Sequence, residues 1–361
     1  MGTHESSFGP VSRRRFLRQS FAFSALATLE SLPSFAGPIP HSQGAADLLM
    51  IGDWGYDDEG HTGQSGVAAG MRQYVSHQPL NTQALLFLGD NWYGELAGGA
   101  HSPRWRTQFE TMYAADVFDC PAYAILGNHD YQKWPDSKVE AELEYARIGK
   151  TRWFMPTRWY SFEFPKKHPL ITFIALDSNM PFKDGSSEKG RDFTLTLQQQ
   201  AEQLTWLEAE LQCPRKTPFL VVMGHHPMYS DGPHGDHPVL IRDWDPLFQK
   251  YGVHLYLAGH DHDLQHLEFE GHSTTHFLSG GGGADLYNLK IDPSQRGPYA
   301  QKVYGFSHLS VTRELLTLRH LDSDGRVLHA FTKTPEGKIS ILGSGRSRNE
   351  QLHDQYREGA D

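Results

Sequence analysis

Five stretches of the chain share one hydrophobic pattern. DLLMIGDWG (47–55), ALLFLGDNWY (84–93), AYAILGNHD (122–130), FLVVMGHHP (219–227) and VHLYLAGHDH (253–262) each run almost without a polar position. Each then reaches a glycine followed at once by a residue able to bind a metal. Continuous apolar runs of this length predict strands covered on both faces. Between them lie helical patterns. LTLQQQAEQLTWLEAELQ (195–212) sets Leu197, Leu204, Leu207 and Leu211 on roughly one face, which predicts an amphipathic helix. Strands alternating with helices define an α/β fold, and such sheets bind ligands at the carboxyl ends of their strands, where the five turns would gather. RWYSFEF, LITFIALD, FSHLSVTRELLTLRHLD and RVLHAFTKT predict further strands, antiparallel and extending the sheets. Gly94 to Pro103 and Pro181 to Arg191 read as loops at the rim of a cleft, and 336–361 as a polar, irregular C-terminal tail.

Composition narrows the function. A formal charge of -10 argues against a nucleic-acid or anionic-membrane surface, which needs a basic face. The 21 histidines point weakly to metal or proton chemistry. Residues 1–36 carry Arg13 and Arg14, then Phe16 and Leu17, a modest apolar stretch and the small-residue site Ser34-Phe35-Ala36. This resembles a twin-arginine export signal. It predicts recognition by the twin-arginine machinery, cleavage after Ala36, a periplasmic or secreted product and no stable membrane anchor, since the apolar run from Phe21 to Leu29 is too short to span a bilayer. Residues 37–335 then form the working domain. Cys120 and Cys213, each beside a proline, read as structural; nothing in their spacing marks a metal site or redox pair.

The strand endings carry the chemistry. One Gly-Asp turn, one Asn-His-Asp loop or one His-x-His is uninformative alone. Five together supply seven donors: Asp53, Asp90, Tyr93, Asn128, His225, His260 and His262. Seven exceed the needs of one four-coordinate ion, so two metals sharing a carboxylate is the economical reading. His260 and His262, two apart, are able to point to separate ions flanking a common bridge, and Asp90 is the natural bridge.

Taken together, Asp53-Trp54-Gly55, Gly89-Asp90-Asn91-Trp92-Tyr93, Gly127-Asn128-His129-Asp130, Gly224-His225-His226-Pro227 and Gly259-His260-Asp261-His262 resemble the purple acid phosphatases of the metallophosphoesterase (calcineurin-like) superfamily, most closely the small, tartrate-resistant type. The resemblance runs from about Asp47 to Thr334. It implies a four-layer αββα sandwich of two mixed sheets flanked by helices. It also implies that Asp53, Tyr93 and His262 hold Fe3+, that Asn128, His225 and His260 hold a divalent ion (Fe2+, Zn2+ or Mn2+), and that Asp90 bridges them. Charge agrees: the first set offers about -2.5 and the second about -0.5, which favours the harder, more highly charged ion in the first. A phenol with a pKa of about 10 binds metal in neutral or acid medium only when a strong Lewis acid displaces its proton. Most other metallophosphoesterases have a histidine two residues after the first aspartate; here that position is Gly55, and Tyr93 supplies the missing donor.

The resemblance also implies that His129 and His234 bind phosphate oxygens and help protonate the leaving alcohol, with Asp130 a candidate to orient His129. The other histidines, including His226, His266, His276, His320 and His329, need no function. The leading expectation is an exported acid phosphatase releasing phosphate from monoesters. A phosphodiesterase or nucleotide hydrolase with the same metals, and a non-enzymatic exported metal or phosphate binder, are the alternatives.

Overall fold

The fold was obtained as a computed structural model that describes residues 44–344, except 57–61, 79, 133–136, 182–193 and 293–294. The export segment 1–36, most of the 181–191 loop and residues 345–361 of the tail lie outside the described residues.

Fifteen strands are described: β1 (Ala46–Ile51), β2 (Thr82–Phe87), β3 (Ala122–Ala124), β4 (Trp153–Phe154), β5 (Tyr160–Phe164), β6 (Ile171–Ala175), β7 (Phe219–Met223), β8 (Leu255–Ala258), β9 (Leu264–Leu267), β10 (Thr275–Ser279), β11 (Tyr299–Gln301), β12 (Gly305–Val311), β13 (Leu316–Asp322), β14 (Val327–Lys333) and β15 (Ile339–Ser344). They form an eight-stranded sheet in the order β15-β14-β13-β12-β1-β2-β3-β4 and a seven-stranded sheet in the order β11-β9-β10-β8-β7-β6-β5. Both are mixed. β1 to β4 run parallel, as do β6, β7, β8 and β10, and antiparallel neighbours extend each sheet. The inner faces meet across stacked rings: Phe277 of β10 lies 3.9 Å from His320 of β13, and His266 of β9 lies 3.7 Å from Phe331 of β14.

The five apolar runs therefore divide between two sheets. β1, β2 and β3 belong to one, and β7 and β8 to the other. Their residues are buried on both faces except Gln83 and Tyr123, which are half-buried. Helices supply the outer cover. Gly63–His77 links β1 to β2 and buries Val67, Ala68, Met71 and Tyr74. Leu197–Gln212 links β6 to β7, but its inward residues are Gln203, Leu207 and Leu211. Leu197 is 51% exposed, so the all-leucine face is a correction. Gln203 displaces it because its amide answers both backbone groups of Asp177 at 2.8 Å, which a leucine leaves unpaired.

Two further departures have simple causes. LITFIALD runs antiparallel to β5 but parallel to β7. The polar tail is not irregular throughout: β15 pairs with β14 from His329↔Ser344 to Lys333↔Ile339, so ordered sheet continues past residue 335. An edge strand with one wet face carries little of the apolar signal that marked the central strands. Cys120 is buried, Cys213 is exposed, and both are free thiols. No helix among the described residues is long and apolar enough to cross a membrane.

Candidate metal centre

The turns after β1, β2, β7 and β8 interlock. Within each sheet, Asp53 donates to the Gly89 carbonyl (3.0 Å) and Gly259 to that of His225 (3.0 Å); between the sheets, Gly52 donates to the Ser279 carbonyl (2.7 Å) and the His260 N–H to Asp53 Oδ2 (2.8 Å), stitching one sheet's strand ends to the other's. Three residues in these turns hold left-handed backbone angles that non-glycine residues avoid: Asp53 (φ 59), Asp90 (φ 51) and His260 (φ 69). Such angles cost of order 1–3 kcal/mol each and persist only where surrounding contacts over-determine them. All three belong to the seven donors read from the sequence. Close approach sets the glycines beside them. A Cβ on Gly127 would fall 2.2 Å from Asp90 Oδ1, and one on Gly55 would fall 1.6 Å from the Asn91 carbonyl oxygen. A histidine at position 55 would force the Asn91 backbone out of this turn, while Tyr93 is drawn in by its own N–H bond to the Gly55 carbonyl (2.9 Å).

All seven donors converge. The Tyr93 hydroxyl lies 3.0 Å from Asp90 Oδ2, 3.3 Å from Asp53 Oδ1 and 3.1 Å from His262 Nε2. Asp53, Asp90 and His262 each offer a ligand atom within 4.8 Å of the others, all buried. Beside them, Asn128 Oδ1 lies 3.1 Å from His225 Nε2 and 2.9 Å from His260 Nδ1, and His225 Nε2 lies 3.4 Å from Asp90 Oδ1. Asp90 thus faces both groups, one oxygen toward each. Backbone contacts fix the ring atoms that point inward: His225 Nδ1–H donates to the Leu88 carbonyl (2.9 Å) and His262 Nδ1–H to the Asp285 carbonyl (2.5 Å), leaving each Nε2 for the site. Tyr287 stacks on His262, ring centres 4.0 Å apart.

The electrostatics fit cations. Asp53 and Asp90 are buried side by side, and among the described residues their ion-pair partners are histidines, with no lysine or arginine. Burial pushes the Tyr93 phenol well above its ordinary value, and Asp90 and Asp53 push it further. Burial alone would raise Asp90, but His225 and His129 outweigh it and hold that carboxyl well below the usual range. Burial would lower His225, yet Asp90 and Asp53 drive it up to about 10. Burial holds His260 well below its ordinary value, so it offers a neutral imidazole. Buried anions answered only by imidazoles, with a phenol aimed between two carboxylates, suit one hard ion at the first group and a softer one at the second.

His129 and His234 flank the cluster. The His129 ring centre is 4.2 Å from that of Tyr93, and the His234 ring centre is 4.1 Å from that of His260. The orienting carboxylate is where the sequence reading needs correction. Asp130 does not reach His129; it accepts from the backbone N–H of Gly127 (2.8 Å), Trp92 (3.0 Å) and Asn91 (3.2 Å), bracing two turns against each other. Asp261, given no role by the sequence, binds His234 Nδ1 at 2.6 Å and so leaves Nε2 toward the cleft. Its position between His260 and His262 was the available signal. Arg104 was also missed: its guanidinium donates to the carbonyls of Tyr93 (2.8 Å) and Gly55 (3.0 Å), clamping the two turns that present Asp53 and Tyr93. His226 packs on His260 with Nδ1 on Ser178 (2.8 Å). His266, His320 and His329 lie buried between the sheets.

Residues 47–264 match the calcineurin-like phosphoesterase family. The chain is 30% identical to purple acid phosphatase 7 of Arabidopsis thaliana over 87% of this chain and 93% of that protein. It is 29% identical to the human tartrate-resistant acid phosphatase type 5 over 85% and 96%. Among solved structures it resembles GAP50, described as the anchor in the inner membrane complex of Plasmodium, with a TM-score of 0.64, 21% identity and coverage of 84% and 90%; that likeness speaks to the fold alone. The chain belongs to the calcineurin-like phosphoesterases and, within them, to the purple acid phosphatases.

Proposed function

We propose that this protein is an exported acid phosphatase that hydrolyses phosphomonoesters to an alcohol and inorganic phosphate. The observation that carries the reading is the meeting of Tyr93 with Asp53, Asp90 and His262 in one buried cluster, beside the Asn128, His225 and His260 group. In this reading Asp53, Tyr93 and His262 hold Fe3+. Asn128, His225 and His260 hold Fe2+, Zn2+ or Mn2+, and Asp90 is shared. Such a pair supplies Lewis acidity that neutralises phosphoryl charge and makes a water nucleophilic at low pH. The chain's own residues do the rest. His129 and His234 hold phosphate oxygens from opposite sides of the cluster. Asp261 fixes the His234 ring through Nδ1 so that Nε2 delivers a proton to the leaving alkoxide as the P–O bond to the alcohol breaks and water oxygen joins phosphorus. The Asp53 and Asp90 turns need no rearrangement for this, because their strained backbone is already braced.

The test is a phosphoester panel run on the full chain carrying both metals. Monoester turnover exceeding diester turnover is expected. Preference for a diester would replace the reading with a phosphodiesterase, and phosphate binding without turnover would replace it with a non-enzymatic binder of the kind a fold shared with an anchor protein permits.

Export rests on Arg13 and Arg14. Replacing both by lysine keeps the charge but removes the guanidinium pair, and is expected to strand the precursor in the cytoplasm. An unchanged yield in the periplasm or medium would refute a twin-arginine route.

A further inference from the structure

The pole opposite the metal centre holds a cavity. It is about 1100 Å³ in volume, and it opens where β1, β2 and β6 begin, whereas the candidate ligands follow the strand ends. Strands of five or six residues put roughly 17–20 Å between the two places. Ala46, Gln83 and Leu170 mark those beginnings in its wall.

The wall has two characters. One side is apolar and rigid. Tyr123 and Phe164 line it, and the Tyr123 ring is stacked on Phe162, centres 3.8 Å apart and nearly parallel. The other side is cationic: Lys166, Lys167, His168 and Arg313. No aspartate or glutamate is among the described residues that line the cavity. Among the described residues Lys166, Lys167 and Arg313 form no ion pair, although other exposed arginines such as Arg147 and Arg326 do. In a chain of formal charge -10, three cations around one concavity with no ion-pair partner among the described residues oppose the overall field. An anion held in the cavity is attracted by all three. The turn that carries both lysines is held in shape. The Leu170 N–H closes it on the Phe164 carbonyl at 2.7 Å, and His168 holds a left-handed φ of 55, as a tight turn between antiparallel strands requires.

We propose that this cavity binds an amphiphilic organic anion. Its phosphate, sulfate or carboxylate head sits against Lys166, Lys167 and Arg313, and its apolar body lies on Tyr123, Phe164 and Leu170. Small-molecule sites are concave and mostly apolar, with a few charged groups that orient the ligand, and this cavity has both parts preformed. The site is separate from the metal centre and does not depend on the reaction proposed there.

Calorimetric titration of the full chain with octanesulfonate tests it, with inorganic sulfate and octanol as controls and phosphatidylglycerol vesicles as a separate arm. Octanesulfonate is expected to bind at least about tenfold more tightly than either control. Lys166→Glu with Lys167→Glu is expected to weaken it at least about tenfold while leaving the thermal unfolding midpoint unchanged. Should the double variant misfold, Arg313→Ala is the milder substitute, with the same loss expected. Equal binding by a folded variant overturns the proposal, because the probe is then held elsewhere, the metal centre included. Sulfate matching octanesulfonate reduces the site to an adventitious ion only. Vesicle binding with no binding of the monomeric probe makes it a surface patch and overturns the cavity.

Discussion

Tyr93 concentrates the chemistry of the site in one atom. Its hydroxyl touches both carboxylates and His262, and burial with those anions keeps it protonated unless a strong Lewis acid takes the proton's place. With the proposed Fe3+ held by its phenolate, the protein is expected to show a visible charge-transfer colour. Tyr93→Phe is expected to abolish that band and to weaken retention of the first metal tenfold or more, while the Asn128, His225 and His260 group is affected less. The ring volume is nearly conserved, so a cavity is no explanation for the loss. Metal analysis and a visible spectrum of the iron-loaded variant decide it; kept colour and kept first metal would make Tyr93 a core residue.

At the scale of elements, the site is a property of turns rather than of strands. The apolar runs and their Gly-plus-donor endings were legible because a strand buried on both faces leaves an unbroken signature and its terminal turn is contiguous in sequence. Partners brought together by folding were not legible. Asp130 braces backbone rather than His129, Asp261 meets His234 across 27 residues, and Arg104 reaches back 49 residues to Gly55. Such pairings depend on how the turns of two sheets interlock, and no local pattern encodes that. The same interlocking makes Gly55 an informative position. Gly55→Ala drives a methyl into the Asn91 carbonyl and is expected to cost at least about 2 kcal/mol, lowering Tm by roughly 4 °C or more. First-metal content should fall with it, because the displaced turn carries Tyr93. Calorimetric unfolding beside metal analysis measures both, and an unchanged Tm with full metal would show that the turn has slack.

For the whole molecule, the packing of the two sheets sets a limit at low pH. His320 sits between them against Phe277, its Nε2–H donating to the Gln265 carbonyl at 3.1 Å and its Nδ1 on the Ser307 hydroxyl at 2.9 Å. Burial lowers its pKa to about 3. A histidine depressed in the fold stays neutral there while the unfolded chain takes up a proton below about 6.5. Stability therefore falls as pH drops from 6.5 toward 3, by about 1.4 kcal/mol per unit from this one residue. His320→Gln is expected to flatten the acid limb by that slope in denaturant titrations of metal-free protein from pH 6.5 to 4. Parallel curves for the two proteins would show that His320 takes its proton within the fold.

The account as a whole rests on two cations sharing one buried carboxylate at the meeting of the sheets. Elemental analysis of the isolated chain and of Asp90→Ala tests this most directly. The intact protein is expected to carry two metal ions per chain, one of them iron. The variant is expected to lose both together with nearly all hydrolysis, since two neighbouring cations need the shared anion to offset their repulsion. A single ion in the intact protein, or full occupancy of both places in Asp90→Ala, would contradict it.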